Sequence, residues 1–120
     1  GIRVTQDYKT AVKWFTLAAE QGDAVSQYNL GIMYSFGLGV VPNYQYGVRW
    51  YTLAAEQGHA LAQYNLGRLY YLGKGVPENL IYAHMWAKQA SSNGFDMSTE
   101  FTVMLTELMT ENQIEKQFTK

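Results

Sequence analysis

The sequence predicts an all-α fold, a solenoid of antiparallel helix pairs, on three observations. Trp14, Trp50 and Trp86 stand 36 residues apart. Around the first two, WFTLAAEQGDAVSQYNLG is followed by WYTLAAEQGHALAQYNLG, identical at 14 of 18 positions. Gly22, Gly58 and Gly94 keep the same register. A period of about 20 to 50 residues marks supersecondary units that bury a core only by leaning on their neighbours. A chain of 120 residues, 48% hydrophobic, has room for one domain or about three such units.

The elements follow in order. Helices are expected over 7–21, 24–35, 43–57, 60–71 and 79–92. Asp7, Asn43 and Asn79 share a register and are good N-cap residues, each contributing about 1 kcal/mol, at the starts of the three tryptophan-bearing helices. Gly22, Gly58 and Gly94 follow apolar-periodic stretches, where a helix commonly ends on a left-handed residue. The loops SFGLGVVPN and YLGKGVPEN supply Gly37, Gly39, Gly73 and Gly75, then Pro42 or Pro77 to stop the preceding helix. On helix 60–71, Ala62, Gln63, Leu66, Gly67 and Tyr70 share one face, with Leu30, Gly31 and Tyr34 as counterparts. A mid-helix glycine costs about 1 kcal/mol against alanine, so Gly31 and Gly67 imply close approach of a partner helix. Trp50, Leu53 and Ala54 are placed on one packing face, as are Trp14, Leu17 and Ala18, and a buried indole there predicts a loss of about 3–5 kcal/mol on Trp→Ala. Beyond residue 94 the period breaks. Phe101, Met104, Leu105 and Leu108 form an apolar stripe, and Thr110-Glu111-Asn112-Gln113 reads as a capping box opening a short helix with Ile114 and Phe118.

Ala60 to Tyr70 (A-x-A-Q-Y-N-L-G-x-x-Y), Gly73 to Pro77 (G-x-G-V-P) and Trp50 to Gly58 (W-x-x-x-A-A-x-Q-G) resemble the Sel-one-like repeat, a relative of the tetratricopeptide repeat. The first copy departs at Ser26 and at the displaced Pro42; the third departs more, with Ala90-Ser91-Ser92-Asn93-Gly94 at its end. The resemblance implies a right-handed α-α superhelix. It divides the chain into repeats over 1–94, starting inside a truncated unit, and C-terminal capping helices over 95–120. It also implies a non-catalytic scaffold or adaptor that binds a peptide or partner protein in a concave groove.

On the face opposite the packing face lie Leu61, Tyr64, Arg68 and Tyr71, matched by Val25, Tyr28, Ile32 and Ser35. A solvated face would be richer in Lys and Glu, and tyrosine and arginine are enriched at binding hot spots. The candidate groove is therefore Tyr28, Ile32, Ser35, Tyr64, Arg68 and Tyr71, with Tyr28 and Tyr64 equally readable as packing between units. Arg68 is the only cation in that row, assisted by Asn29 and Asn65, so a carboxylate clamp is poorly supplied.

Other activities find less support. A net charge of −1 gives no footprint for nucleic acid, which argues against the RNA-reading helical repeats of similar length. No cysteine is present, whereas the β-lactam-binding or hydrolysing relatives carry a cysteine pair in each unit. His59 and His84 lie in different units without a carboxylate pattern, so no metal site is expected, and His59 reads as a helix start. Glu20 and Glu56 are solvated helix ends, no cofactor motif is met, and no apolar run is long enough to span a membrane. Ala11, Trp14 and Phe15 on the first helix are expected to stay partly uncovered, an edge for self-association.

Overall fold

The computed structural model describes residues 2–118, and the backbone alone for residues 2–5 and 113–118. Six helices follow one another: α1 (Ile2–Glu20), α2 (Ala24–Phe36), α3 (Tyr44–Glu56), α4 (Ala60–Leu72), α5 (Leu80–Ser92) and α6 (Met97–Phe118), with no strand among the described residues. Each packs against the next in sequence. α2 also lies against α4, and no comparable contact joins α3 to α5, so the first helices of successive units form the inner face of the array. The molecule measures 56 × 26 × 23 Å with a radius of gyration of 16.3 Å. A compact chain of this length would have about 14 Å. The elongation is what an all-α solenoid produces, because each unit touches only its neighbours.

Local chemistry sets the helix ends. Asn43 Oδ1 and Asn79 Oδ1 each accept from the backbone N–H three residues on, at 3.0 Å, capping α3 and α5. Asp23 does the same for α2 through Ser26 N–H at 3.0 Å, and His59 Nδ1 for α4 through Ala62 N–H at 3.2 Å. α2 and α4 end on left-handed Gly37 and Gly73. Gly75, at φ 77°, is needed for a second reason: a Cβ there would lie 2.6 Å from the Tyr44 carbonyl oxygen, so the loop rests directly on the start of α3. Asp7, by contrast, caps nothing. α1 runs from Ile2, because no proline precedes Asp7 as Pro42 precedes Asn43 and Pro77 precedes the Asn79 region.

The core forms between units. On α3 the buried stripe is Gly47, Val48, Tyr51, Ala54 and Ala55, and on α4 it is Ala62, Gln63, Leu66, Gly67 and Leu69. Tyr51, 2% exposed, is the largest fully buried side chain, and its ring lies where a Cβ on Gly31 would stand 2.5 Å away. Gly67 likewise brings α4 close to α5, with the Ala83 carbonyl oxygen 3.1 Å from the Cβ it lacks. The tryptophans are less sheltered than the repeat pattern implied. Trp14 is 68% exposed, Trp50 is half-buried against Ala19, Leu30 and Met33, and Trp86 is half-buried beside the cluster of Tyr51, Ala55 and Leu66. The neighbouring aromatic, Tyr51, takes the central position, and Trp50 sits on the shoulder of the stripe. Leu17 and Leu53, placed on the packing face from sequence, are 53% and 45% exposed.

A buried amide closes each junction. Gln27 Nε2 donates to the Ala19 carbonyl at 3.1 Å, and Gln63 Nε2 to the Ala55 carbonyl at 3.0 Å, satisfying carbonyls near the preceding helix end. The next unit then reaches back: Gln57 Nε2 donates to Gln27 Oε1 at 2.9 Å, and Asn93 Nδ2 to Gln63 Oε1 at 3.0 Å. α6 covers α5 with Phe101, Met104, Leu105 and Leu108 as the stripe predicted. It does not break at Thr110. The helix is continuous, and Thr110 Oγ1 donates to the Thr106 carbonyl at 3.0 Å instead of capping a new start. The side chains of Gln113, Ile114 and Phe118 lie outside the described residues.

Candidate functional site

The inner face is built by α2 and α4, held in register by their caps. Tyr28 stacks on His59 with ring centroids 4.6 Å apart and approaches Tyr51 at 6.0 Å, so it fills the seam between the two helices. Burial raises its phenol pKa. Tyr64 does the equivalent work one unit on, 4.9 Å from Phe95 and 5.7 Å from Phe101. Tyr71 meets the edge of Phe101 at 5.8 Å and is half-buried beneath α6. Ile32 packs partly against the central core cluster. Arg68 is exposed, its guanidinium 5.9 Å over the Tyr64 ring. Ser35, expected to face outward, is only 7% exposed, because Gly47 lets α3 press against its hydroxyl.

Between these helices lies a cavity of about 160 Å³, lined by Ser35, Phe36, Tyr44, Tyr51, Asn65, Arg68, Leu69, Leu72 and Lys74. Of the six candidate residues, the structure brings Ser35 and Arg68 to this cavity and leaves Tyr28, Ile32, Tyr64 and Tyr71 elsewhere on the inner face. Its chemistry is one-sided. Arg68 and Lys74 line it and no carboxylate does. Lys74 Nζ is steadied 5.4 Å over the Tyr44 ring, as Arg68 is by Tyr64, so both cations are positioned by aromatic faces. Burial pushes the Tyr51 phenol up to about 12, and the polar neighbours Ser35 and Asn65 oppose that rise only in part. At ordinary pH the Tyr51 wall is therefore neutral. The rim is apolar and open, with Phe36 69% and Leu72 48% exposed. Lys74 was missed from sequence because it sits in the loop after α4; only the fold returns that loop to the α2–α4 seam.

A second, open depression of about 280 Å³ lies on the outer side, lined by Thr16, Glu20, Tyr34, Tyr46, Arg49, Trp50 and Leu53. Tyr34 and Tyr46 pack 5.0 Å apart there, and Arg49 lies 5.7 Å over Tyr46. Among the described residues no group of three or more His, Cys, Asp or Glu is placed to hold a metal ion. His84 instead bonds Thr106 Oγ1 at 3.0 Å, tying α5 to α6. No described helix is long and apolar enough to cross a membrane.

Comparison with known proteins follows the same repeat boundaries. The Sel1 repeat family model matches residues 1–23, 24–59 and 60–95. The fold is similar to a Sel1 repeat protein from Oxalobacter formigenes, 37% identical, with a TM-score of 0.77 over 78% of this chain and 39% of that one. It is similar also to a protective antigen present in uropathogenic Escherichia coli strains that displays an SLR fold, 37% identical, with a TM-score of 0.83 over 89% of this chain and 23% of that one. The chain thus spans well under half the length of these solved relatives. No curated protein matches it. Proteins built from these repeats are in general protein-interaction scaffolds, and this chain belongs to the Sel1 repeat family.

Proposed function

We propose that the array is a non-catalytic scaffold that holds an extended peptide segment of a partner protein along the inner face of α2 and α4. The cavity between those helices carries the reading: two cations that no lining carboxylate neutralises, beside a rim of exposed Phe36 and Leu72. An apolar side chain covering that rim would bury surface at about 25 cal/mol per Å² while the cations fix its orientation. Tyr28 and Tyr64 act as the wall, Ile32 and Tyr71 extend the contact along the helices, and Ser35 and Arg68 belong to the anchor. Residues 1–94 present the groove and 95–120 close the array.

Selection of displayed decapeptides on the intact array tests this. Binders are expected, and Phe36→Ser with Leu72→Ser should abolish their retention, while Val41→Ser on the exposed loop should leave it unchanged. An array that retains no peptide, or whose binders ignore the rim substitutions, rejects the inner face. A second contact is supported by Trp14 and Leu17, 68% and 53% exposed side by side on α1: self-association through that edge. Sedimentation should then show a concentration-dependent dimer that Trp14→Ser removes; a strict monomer at high concentration rejects it.

A further inference from the structure

We infer that the cavity between α2 and α4 is a receptor for a glutamate side chain of the bound peptide. The inference rests on the inner-face reading and narrows it to one chemistry. Four residues able to donate line the cavity: Arg68 and Lys74, with Asn65 and Ser35 beside the Tyr51 phenol. All four can donate to one carboxylate, and the guanidinium fork matches its two oxygens.

Ser35 is the second, independent observation. Several hydroxyls elsewhere on the helices find a carbonyl: Thr16 that of Val12 at 2.6 Å, Thr52 that of Val48 at 2.6 Å, Ser98 that of Ala87 at 2.7 Å. Ser35 Oγ, 7% exposed as a residue, makes no hydrogen bond of good geometry, its nearest polar neighbour being the Tyr51 phenol. A buried polar atom left without a partner is costly, and few persist without a reason. Here the serine lines the cavity together with the two cations.

The repeat itself supplies a control. Shifted by 36 residues toward the C-terminus, Ser35 becomes Tyr71, and the places of Asn65, Arg68 and Lys74 fall on α6, beyond the last repeat. That junction is filled by Tyr71 against Phe101, at 5.8 Å. Shifted the other way, Asn65 stays asparagine at Asn29, whereas Arg68 becomes Ile32 and Lys74 becomes Leu38. Stacking of the units therefore needs neither cation, and the gathering of Arg68 and Lys74 at one junction is not a requirement of the fold.

The occupant follows from charge and size. The cavity of about 160 Å³ is lined by two cations and no carboxylate, and a glutamate carries its carboxylate in on a slim two-methylene stem while the peptide backbone stays outside, solvated. A C-terminal carboxylate would drag its own peptide group into the cavity, where that group's hydrogen bonds would be lost.

Three libraries of decapeptides, random at all but the fixed positions and without other Asp or Glu, test this on the intact array. One carries a central Glu with both ends blocked, one a central Gln with both ends blocked, and one a free C-terminal carboxylate with no Glu. Retention of the Glu library should exceed that of the Gln library by about tenfold, the usual weight of a charge-assisted set of bonds. Ser35→Ala and Arg68→Met should each reduce that ratio to about threefold or less, with unchanged helicity and thermal midpoint. Equal retention of the Glu and Gln libraries overturns the inference and leaves the scaffold reading standing. Preference for the free-carboxylate library overturns the side-chain assignment, an unchanged ratio in Ser35→Ala overturns the role of the buried hydroxyl, and retention of no library overturns both readings.

Discussion

Gly31→Ala puts one methyl group against the most buried aromatic ring of the array. The new Cβ would stand 2.5 Å from Tyr51 Cδ1 and Cε1 and 2.9 Å from Cγ, so the ring or the helix must move. Replacing a mid-helix glycine by alanine gains about 1 kcal/mol of helix propensity. Overpacking a well-filled core costs about 1–3 kcal/mol. With three ring atoms inside 3 Å and a tyrosine only 2% exposed, the upper end of that cost applies, and the net loss should be about 1–2 kcal/mol. Urea unfolding followed by circular dichroism should show a lower midpoint at unchanged slope. In a Tyr51→Leu background the ring is gone, and the same substitution should stabilise by about 1 kcal/mol, a coupling of about 2–3 kcal/mol. A raised midpoint for Gly31→Ala in the unaltered chain would refute the claim that α2 and α3 touch through that glycine.

Further outcomes follow from the same packing. Tyr51→Ala should cost about 3–5 kcal/mol, whereas Trp14→Ala, at an indole 68% exposed, should cost less than about 1 kcal/mol; thermal melts of the two variants would expose a reversed order. Gln63→Leu strands the Ala55 carbonyl and should cost about 1–3 kcal/mol in the same assay. His59 caps α4 through an unprotonated Nδ1 and is half-buried, with burial lowering its pKa from 6.5 in the folded chain. The unfolded chain therefore binds the proton more readily, so this contribution is full above pH 6.5 and is lost as pH falls through the lowered folded value. His59→Asp, which copies the Asp23 cap of the preceding unit, should flatten the stability profile between pH 7 and 5; denaturant midpoints with the same slope in both chains would contradict it.

The repeat made the architecture readable because each element had local evidence. Asn43 and Asn79 follow a proline-containing loop, and the helix after each could start nowhere else. Asp7 shares their register without the proline, so register alone misplaced that cap. The misjudged tryptophans have a different cause. Trp50 and Tyr51 are adjacent aromatics about 100° apart on one helix, and the pattern cannot say which of the two faces the partner until Gly31 is seen to admit the Tyr51 ring. The candidate site was partly legible: Arg68 stood out as a lone cation on an uncharged face. Lys74 and the burial of Ser35 did not, since one depends on where a loop returns and the other on how closely Gly47 lets α3 approach. Thr110 misled for a local reason. A capping-box pattern inside a helix with an intact apolar stripe has no need to interrupt it, and its hydroxyl simply bonds the carbonyl one turn back.

The inner face of α2 and α4 is the surface proposed to meet a partner. Amide NMR mapping of a library-selected peptide on the labelled array tests it most directly. The predicted result is perturbation concentrated at Ile32, Ser35, Phe36, Asn65, Arg68, Leu72 and Lys74. Perturbation confined to Tyr46, Arg49, Tyr82 and Met85 on the outer helices would contradict it.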